Sequence, residues 1–217
     1  MEIYYFGHSS FKIKGKQATL ITDPYDDSAL GIKFPKVEAD IVTVSHSHSD
    51  HNAYQKVEGQ PFLISEPGEY EVKGVSIFGF KTFHDLKQGN DRGENIIYLI
   101  EIDSLRICHL GDLGEILNDQ LLEEINGVDI LMIPVGGFYT LDPEKAVELI
   151  AKIEPTIVIP MHFKIPQMGK AFENLISVED FFKVMGVGQI SPLPKLVISK
   201  DKLPEERQII LLERKNG

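Results

Sequence analysis

The sequence predicts an α/β domain in which two sheets pack together with helices outside. Short apolar runs bounded by Gly or Asp fill the first half, at 3–6, 11–13, 18–22, 41–44, 62–64, 75–80, 96–102 and 105–108. Helical signals come later and alternate with further apolar runs at 129–133, 156–159, 196–198 and 208–212. Runs that are apolar at almost every position are buried on both faces, which suits sheets covered on each side. A simple open α/β sheet does not fit, because the first half carries too few helices.

Three helices follow from their ends. Asn118 can cap a segment bearing Leu121, Leu122 and Ile125 before the Asn126-Gly127 stop. Asp142-Pro143 opens residues 144–153, with Val147, Ile150 and Ala151 on one face. Ser177 with Asp180 resembles a capping box, and Gly186 ends that helix. Ala39-Asp40-Ile41-Val42-Thr43-Val44 also resembles Val128-Asp129-Ile130-Leu131-Met132-Ile133. Each run ends at a loop of unusual composition, as in a chain of two related halves.

The 217 residues, 42% apolar and 25% charged, suit one domain over 1–217 with a full core. No apolar stretch nears the ~18 residues that span a bilayer, and the start lacks a basic leader, so neither membrane insertion nor export is expected. The lone Cys108 cannot pair internally, which fits a reducing cytoplasm. A formal charge of −11 disfavours nucleic acid as a partner.

The chemistry is concentrated in Val44-Ser45-His46-Ser47-His48-Ser49-Asp50-His51-Asn52, just after an apolar strand. In an extended segment alternate side chains share a face, so His46, His48 and Asp50 are expected on one side, with His51 diverging from Asp50. Two histidines could then meet one cation while Asp50 and His51 turn toward a second, relieving the crowding of polar groups beside a core.

His46-Ser47-His48-Ser49-Asp50-His51 matches the HxHxDH signature of the metallo-β-lactamase superfamily. Further motifs, in order, are Gly7-His8-Ser9-Ser10, Thr22-Asp23-Pro24, Pro67-Gly68-Glu69-Tyr70, Arg92-Gly93-Glu94-Asn95, His109-Leu110-Gly111-Asp112, Pro134-Val135-Gly136-Gly137 and Pro160-Met161-His162. With them the chain resembles the short prokaryotic Zn-dependent hydrolases related to ascorbate-6-phosphate lactonase. The resemblance implies a four-layer αββα sandwich with a dinuclear metal site at one edge of the two sheets. It also implies His46, His48 and His84 on one ion, Asp50, His51 and His162 on the other, and Asp112 between them. His109 is the rival of His84. Asp23 is a candidate to orient a ligand, and His8 to contact substrate or stand behind the ligands.

Imidazole and carboxylate without thiolate suit Zn2+, with Mn2+ or Fe2+ as alternatives. The expected reaction is hydrolysis of a small anionic ester, lactone or phosphodiester by a metal-bound hydroxide, with Asp50 carrying the departing proton. Arg92, Asn95, Lys164, Lys170 and residues 136–140 are possible substrate walls, each with an ordinary surface or turn role as the alternative. Cys108, continuing an apolar run, reads as an inert core thiol. The competing functions are an RNase Z-like nuclease and a non-catalytic metal-binding protein on the same scaffold.

Overall fold

The computed structural model describes residues 1–215; residues 216 and 217, the end of the expected 1–217 domain, lie outside the described residues. One sheet has six strands in the spatial order Leu196–Val197, Glu2–Gly7, Ser10–Lys14, Thr19–Thr22, Ile41–Thr43 and Phe62–Ile64. The other has seven, in the order Gln208–Ile209, Ile157–Met161, Ile130–Pro134, Leu105–His109, Glu94–Ile102, Val75–Phe83 and Gly68–Val72.

Strand periodicity divides the side chains of the first sheet between two cores. Ile3, Tyr5, Phe11, Ile13, Leu20 and Ile41 join a large cluster with Ile77, Leu99 and Ile107 of the second sheet. Their neighbours Phe6, Ile21 and Val42 join a smaller cluster with Tyr25, Leu30, Phe34 and Phe172. Strands of this sheet are therefore apolar on both faces, as their composition requires. Helices Pro143–Ile153 and Val178–Met185 add Ala146, Leu149, Ile150, Phe181 and Phe182 to the large cluster. The small cluster is covered by the single-turn helix Asp27–Leu30 and a ribbon of Val37–Glu38 beside Val57–Glu58.

The internal echo has a physical basis. Asp40 opens a strand running parallel to both neighbours, and so does Asp129 in the other sheet. The Asp40 carboxylate accepts from Thr19 N at 2.8 Å while its own N–H donates to Thr19 O at 2.9 Å. Asp129 does the same with Arg106, at 2.9 Å in both directions. Their carbonyls accept from Phe62 N and Ile157 N, each at 2.8 Å. Each aspartate thus fixes the register of a three-strand parallel unit, and each unit releases its chain into a loop at the same end.

The helix ends behave as expected with one exception. Asn118 and Asp142 accept from Leu121 N and Lys145 N, whereas Ser177 donates to the Asp180 carboxylate at 3.0 Å and makes no backbone cap. Strands Gly68–Val72, Val37–Glu38 and Val57–Glu58 lack the apolar runs that flagged the others. An edge or ribbon strand keeps one face polar, so its pattern is weak.

Tyr98, fully buried in the second sheet, donates its hydroxyl to Val44 O at 2.8 Å, with Ile64 O at 3.1 Å, both from the first sheet. This bond ties the sheets together beside the His-rich loop. Tyr98→Phe is expected to cost about 1 kcal/mol, read as a lower urea midpoint at unchanged slope.

Candidate metal centre

The His-rich segment does not continue the strand. The ladder ends at Thr43, and the chain then turns, with His51 N and Asn52 N both donating to His48 O, at 2.9 and 3.1 Å. The expected pleated alternation of His46, His48 and Asp50 is therefore replaced by a compact loop. Asn52 Nδ2 closes it on Ser47 O, and Asp26 N and Ala53 N tie it to the stretch after Thr22. Asp50 and His51 do not diverge either: His51 Nε2 lies 3.6 Å from Asp50 Oδ2. The turn brings together what an extended chain would have separated.

Four other segments meet this loop. His84 follows Val75–Phe83, Asp112 follows Leu105–His109, His162 follows Ile157–Met161, and His8 lies in the turn after Glu2–Gly7. Asp112 Oδ2 is the focus, at 3.2 Å from His51 Nε2, 3.2 Å from His84 Nε2, 3.1 Å from His162 Nε2 and 4.0 Å from His46 Nε2. Two groups of donor atoms result. His46, His48 and His84 form one, and His8, His51, Asp112 and His162 form the other, with the atoms of each group within 4.8 Å of one another. Asp50, expected in the second group, instead sits beside it, and His8 Nε2 donates to Asp50 Oδ2 at 3.1 Å.

Backbone conformation sets these directions. His8, Asp23 and His162 all have positive φ, at 56°, 38° and 52°, a region that non-glycine residues enter at a cost. Hydrogen bonds hold them there: His162 N donates to His8 O and Asp23 N to Thr43 O, each at 2.9 Å. Close approach demands glycine at two further points. A Cβ on Gly136 would meet His162 O at 2.0 Å, and one on Gly114 would meet His84 O at 2.3 Å.

Asp23 is where the sequence suggested an orienting carboxylate. Fully buried, it accepts from His51 Nδ1 at 2.9 Å, Ser45 N at 2.7 Å and Ser45 Oγ at 2.6 Å. That bond puts the His51 proton on Nδ1 and leaves Nε2 aimed at Asp112. His109 is excluded from the cluster, because its Nε2 donates to Ser9 O at 2.8 Å and its Nδ1 accepts from Gly111 N at 3.3 Å. His84, rather than its rival, reaches the centre.

Asn95 is structural. Its amide donates to Thr82 Oγ1 and Leu110 O, while its Oδ1 accepts from Asp112 N at 2.9 Å, holding the Asp112 loop in place. Lys164 donates to Glu173 O and lines a different cavity. The cavity over the centre, about 280 Å3, is bounded by His48, Asp50, His84, Asp112 and His162 on one side. Arg92, Tyr139, Ala171 and Phe172 form much of the rest. Sequence reasoning missed Ser9, Ser45 and Phe172. Ser9 Oγ approaches Asp112 Oδ1 at 3.4 Å; both serines adjoin a site histidine, a signal that adjacency alone made available. Phe172 had none.

Burial works against charge throughout this region. It pushes the His8 ring down to about 4, helped by the nearby His162, and it lowers His46, His48 and His109 as well. Burial also opposes ionisation of Asp112, but His162 and His51 outweigh it and hold that carboxyl well below its usual range. Asp50 is likewise lowered against burial, by His51 and His8. His51 goes the other way, since Asp112 and Asp50 overcome its desolvation. The donor set fits a metal. His46 Nε2 and His48 Nδ1 lie 3.0 Å apart, a spacing in which one N–H at most can stand between them, whereas a cation can take lone pairs from several such atoms. All donors are nitrogen or oxygen; Cys108 is buried, its thiol pushed up to about 12 by desolvation.

Residues 2–162 match the Beta-lactamase superfamily domain. The chain belongs to the metallo-beta-lactamase superfamily. Within that superfamily it is similar to a Thermotoga maritima protein described as a Zn-dependent hydrolase, at 36% identity and a TM-score of 0.81, over 97% of each chain. It is also 31% identical to a UPF0173 metal-dependent hydrolase of Thermoplasma volcanium, over 81% of this chain and 91% of that one. Human tRNase Z, short form, shares the metallo-beta-lactamase fold at 11% identity, with a TM-score of 0.52 over 75% of this chain and 92% of the other. The protein is a metal-dependent hydrolase of this superfamily, and the expected sandwich architecture is the one observed.

Two outcomes test this geometry. Asp23→Asn is expected to weaken metal affinity about tenfold to a hundredfold, measured by competition with a chromophoric chelator. In the metal-free protein, histidines with lowered values refuse protons that the unfolded chain accepts at about 6.5, down to about 4 for His8. Stability therefore rises with pH across that window; His51, raised instead, is protonated in both states below about 6.5 and adds no slope there. The melting temperature of chelator-treated protein is expected to fall between pH 6.5 and pH 4.

Proposed function

We propose that this chain is a one-domain, cytoplasmic, dizinc hydrolase of small anionic esters, lactones or phosphodiesters. His46, His48 and His84 would hold one ion, and Asp50, His51 and His162 would hold the second, with Asp112 available to both. The observation that carries this assignment is the convergence of imidazole edges from three separate segments on the single oxygen Asp112 Oδ2. When bound, such ions lower the pKa of a water to about 7 and polarise the oxygen of the bond under attack.

The remaining chemistry falls to the protein. His51, fixed through Asp23, cannot rotate its ring away from the centre. Asp50, half-buried and lining the cavity, is the carboxylate available to take the proton released by the attacking water and pass it to the leaving group. His8 is fully buried and absent from the cavity wall, so it does not touch substrate. We assign it the positioning of Asp50 through its 3.1 Å hydrogen bond. The two carboxylates among the proposed ligands, Asp50 and Asp112, would face two dications, and the surplus positive charge favours an anionic substrate although the chain as a whole carries −11. That acidic total argues for a small molecule over RNA.

His46→Ala and His162→Ala are expected to lower zinc content, by elemental analysis, and to abolish hydrolysis of 4-nitrophenyl esters and bis(4-nitrophenyl) phosphate while the fold survives. Full zinc stoichiometry in both variants would overturn the assignment. His8→Ala is expected to keep about two zinc ions per chain and to lower kcat about tenfold to a hundredfold. Loss of one ion in His8→Ala with none lost in Asp50→Ala would exchange their roles.

A further inference from the structure

Besides the histidines and their carboxylates, the cavity is lined by Arg92 with Asp91 beside it, and the hydrolase reading does not use the arginine. Arg92 is carried by the loop after His84, and that loop is rigid for a definite reason. The buried Asp85 carboxylate accepts four backbone N–H groups: Lys87 at 2.7 Å, Gly89 at 3.0 Å, Asp91 at 3.1 Å and Arg92 at 2.8 Å. A carboxylate bound by several amides fixes the backbone around it, much as a cap fixes a helix end.

The side chain is fixed as well. Arg92 Nη1 donates to Tyr139 O at 3.1 Å, and the guanidinium carbon stands 5.2 Å from the centre of the Tyr139 ring. Tyr139 is held in turn by its hydroxyl, which donates to Ala171 O at 2.8 Å, and its ring lies 6.3 Å from that of Phe172. Three loops that bound the cavity are thus stitched together through one arginine. Yet among the described residues no carboxylate lies within 4.0 Å of its guanidinium; the adjacent Asp91 pairs with Lys87 at 2.8 Å. A surface arginine in an acidic protein ordinarily finds an acid. This one is pre-organised over an aromatic face, lines the reaction cavity, and keeps Nε and Nη2 uncommitted.

We infer that Arg92 is a specificity-determining residue that binds a carboxylate or phosphate group of the substrate at a point away from the bond that is cut. This rests on the hydrolase function proposed above and narrows its substrate class. The anion is one the metal centre does not itself engage, and Phe172 and Tyr139 supply an apolar wall for the stretch of substrate between. The cavity, about 280 Å3 and open to solvent, takes a group of metabolite size.

The test compares a neutral ester, 4-nitrophenyl acetate, with an anionic one, mono-4-nitrophenyl glutarate, on zinc-loaded protein. Glutarate binding is measured in parallel by calorimetry. Losing a charge-assisted bidentate contact is expected to lower the anionic-to-neutral ratio of kcat/KM about tenfold to a hundredfold in Arg92→Ala, chiefly through KM for the glutarate ester. Glutarate affinity should fall by a similar factor, and Arg92→Lys should restore part of both. Lys183→Ala, which removes an exposed cation outside the cavity wall, should leave the ratio as it is in the wild type. An unchanged ratio and unchanged glutarate affinity in Arg92→Ala would overturn the inference. If wild-type protein cleaves neither ester, the proposed reaction fails for these esters, and the calorimetric comparison still decides the role of Arg92.

Discussion

Asp112 is a carboxylate with almost no access to water, and such a group is tolerable only where fixed donors or cations surround it. Much of the architecture at this end of the sheets can be understood as supplying them. His51, His84 and His162 bring nitrogen to one of its oxygens, Ser9 approaches the other, and Asn95 holds its backbone N–H. Three of these residues are tied down by a hydrogen bond to a second element. His51 is pinned by Asp23, His162 by the carbonyl of His8, and Asn95 by Thr82 and Leu110. A buried network of this kind is worth more when complete than its pairs suggest, and it is costly when one member is lost.

The sheets explain why the donors meet at one end. Two parallel units, each opened by an aspartate that locks its register, deliver their chains toward the same edge. The first unit yields the His-rich loop and the Asp23 turn. The second yields Asp112, the loop through Gly136 and the left-handed His162. Tyr98 joins the units by bonding carbonyls of the opposite sheet at the root of the His-rich loop. Fold and site are therefore one problem: a slip of register in either parallel unit would displace a donor by the length of a residue, several times the tolerance of a coordination sphere.

Much of this was legible in the chain. Apolar runs located the doubly covered strands, and the HxHxDH spacing with its companion motifs located the donors and the superfamily. The Asp40 and Asp129 echo was visible before its hydrogen bonds were. What the sequence could not convey was direction. Alternation predicted that His46 and His48 would share a pleated face, whereas a turn closed on His48 O brings them together. It also placed Asp50 and His51 on different sides, and the same turn reunites them. Periodicity describes regular backbone only, and ligand loops are irregular because they must aim several side chains at one point. Edge strands such as Gly68–Val72 escaped notice for the opposite reason, being regular but half polar.

The strained residues carry the last step. His8, Asp23 and His162 occupy left-handed backbone, and each sits where a chain leaves a strand and must turn its next polar group inward at once. An unstrained turn needs more residues, and more residues bring freedom that blurs donor positions. The protein accepts roughly 1–3 kcal/mol at each such point and offsets it with strands buried on both faces, where large apolar side chains supply more than that. Rigidity is then concentrated around the ions' expected position and extended outward by the amide-bound Asp85 loop to Arg92. A hydrolytic centre of this type gives reaction chemistry but little discrimination, so selectivity must come from groups held just as firmly on the facing wall. In this chain the firmly held cation on that wall is Arg92.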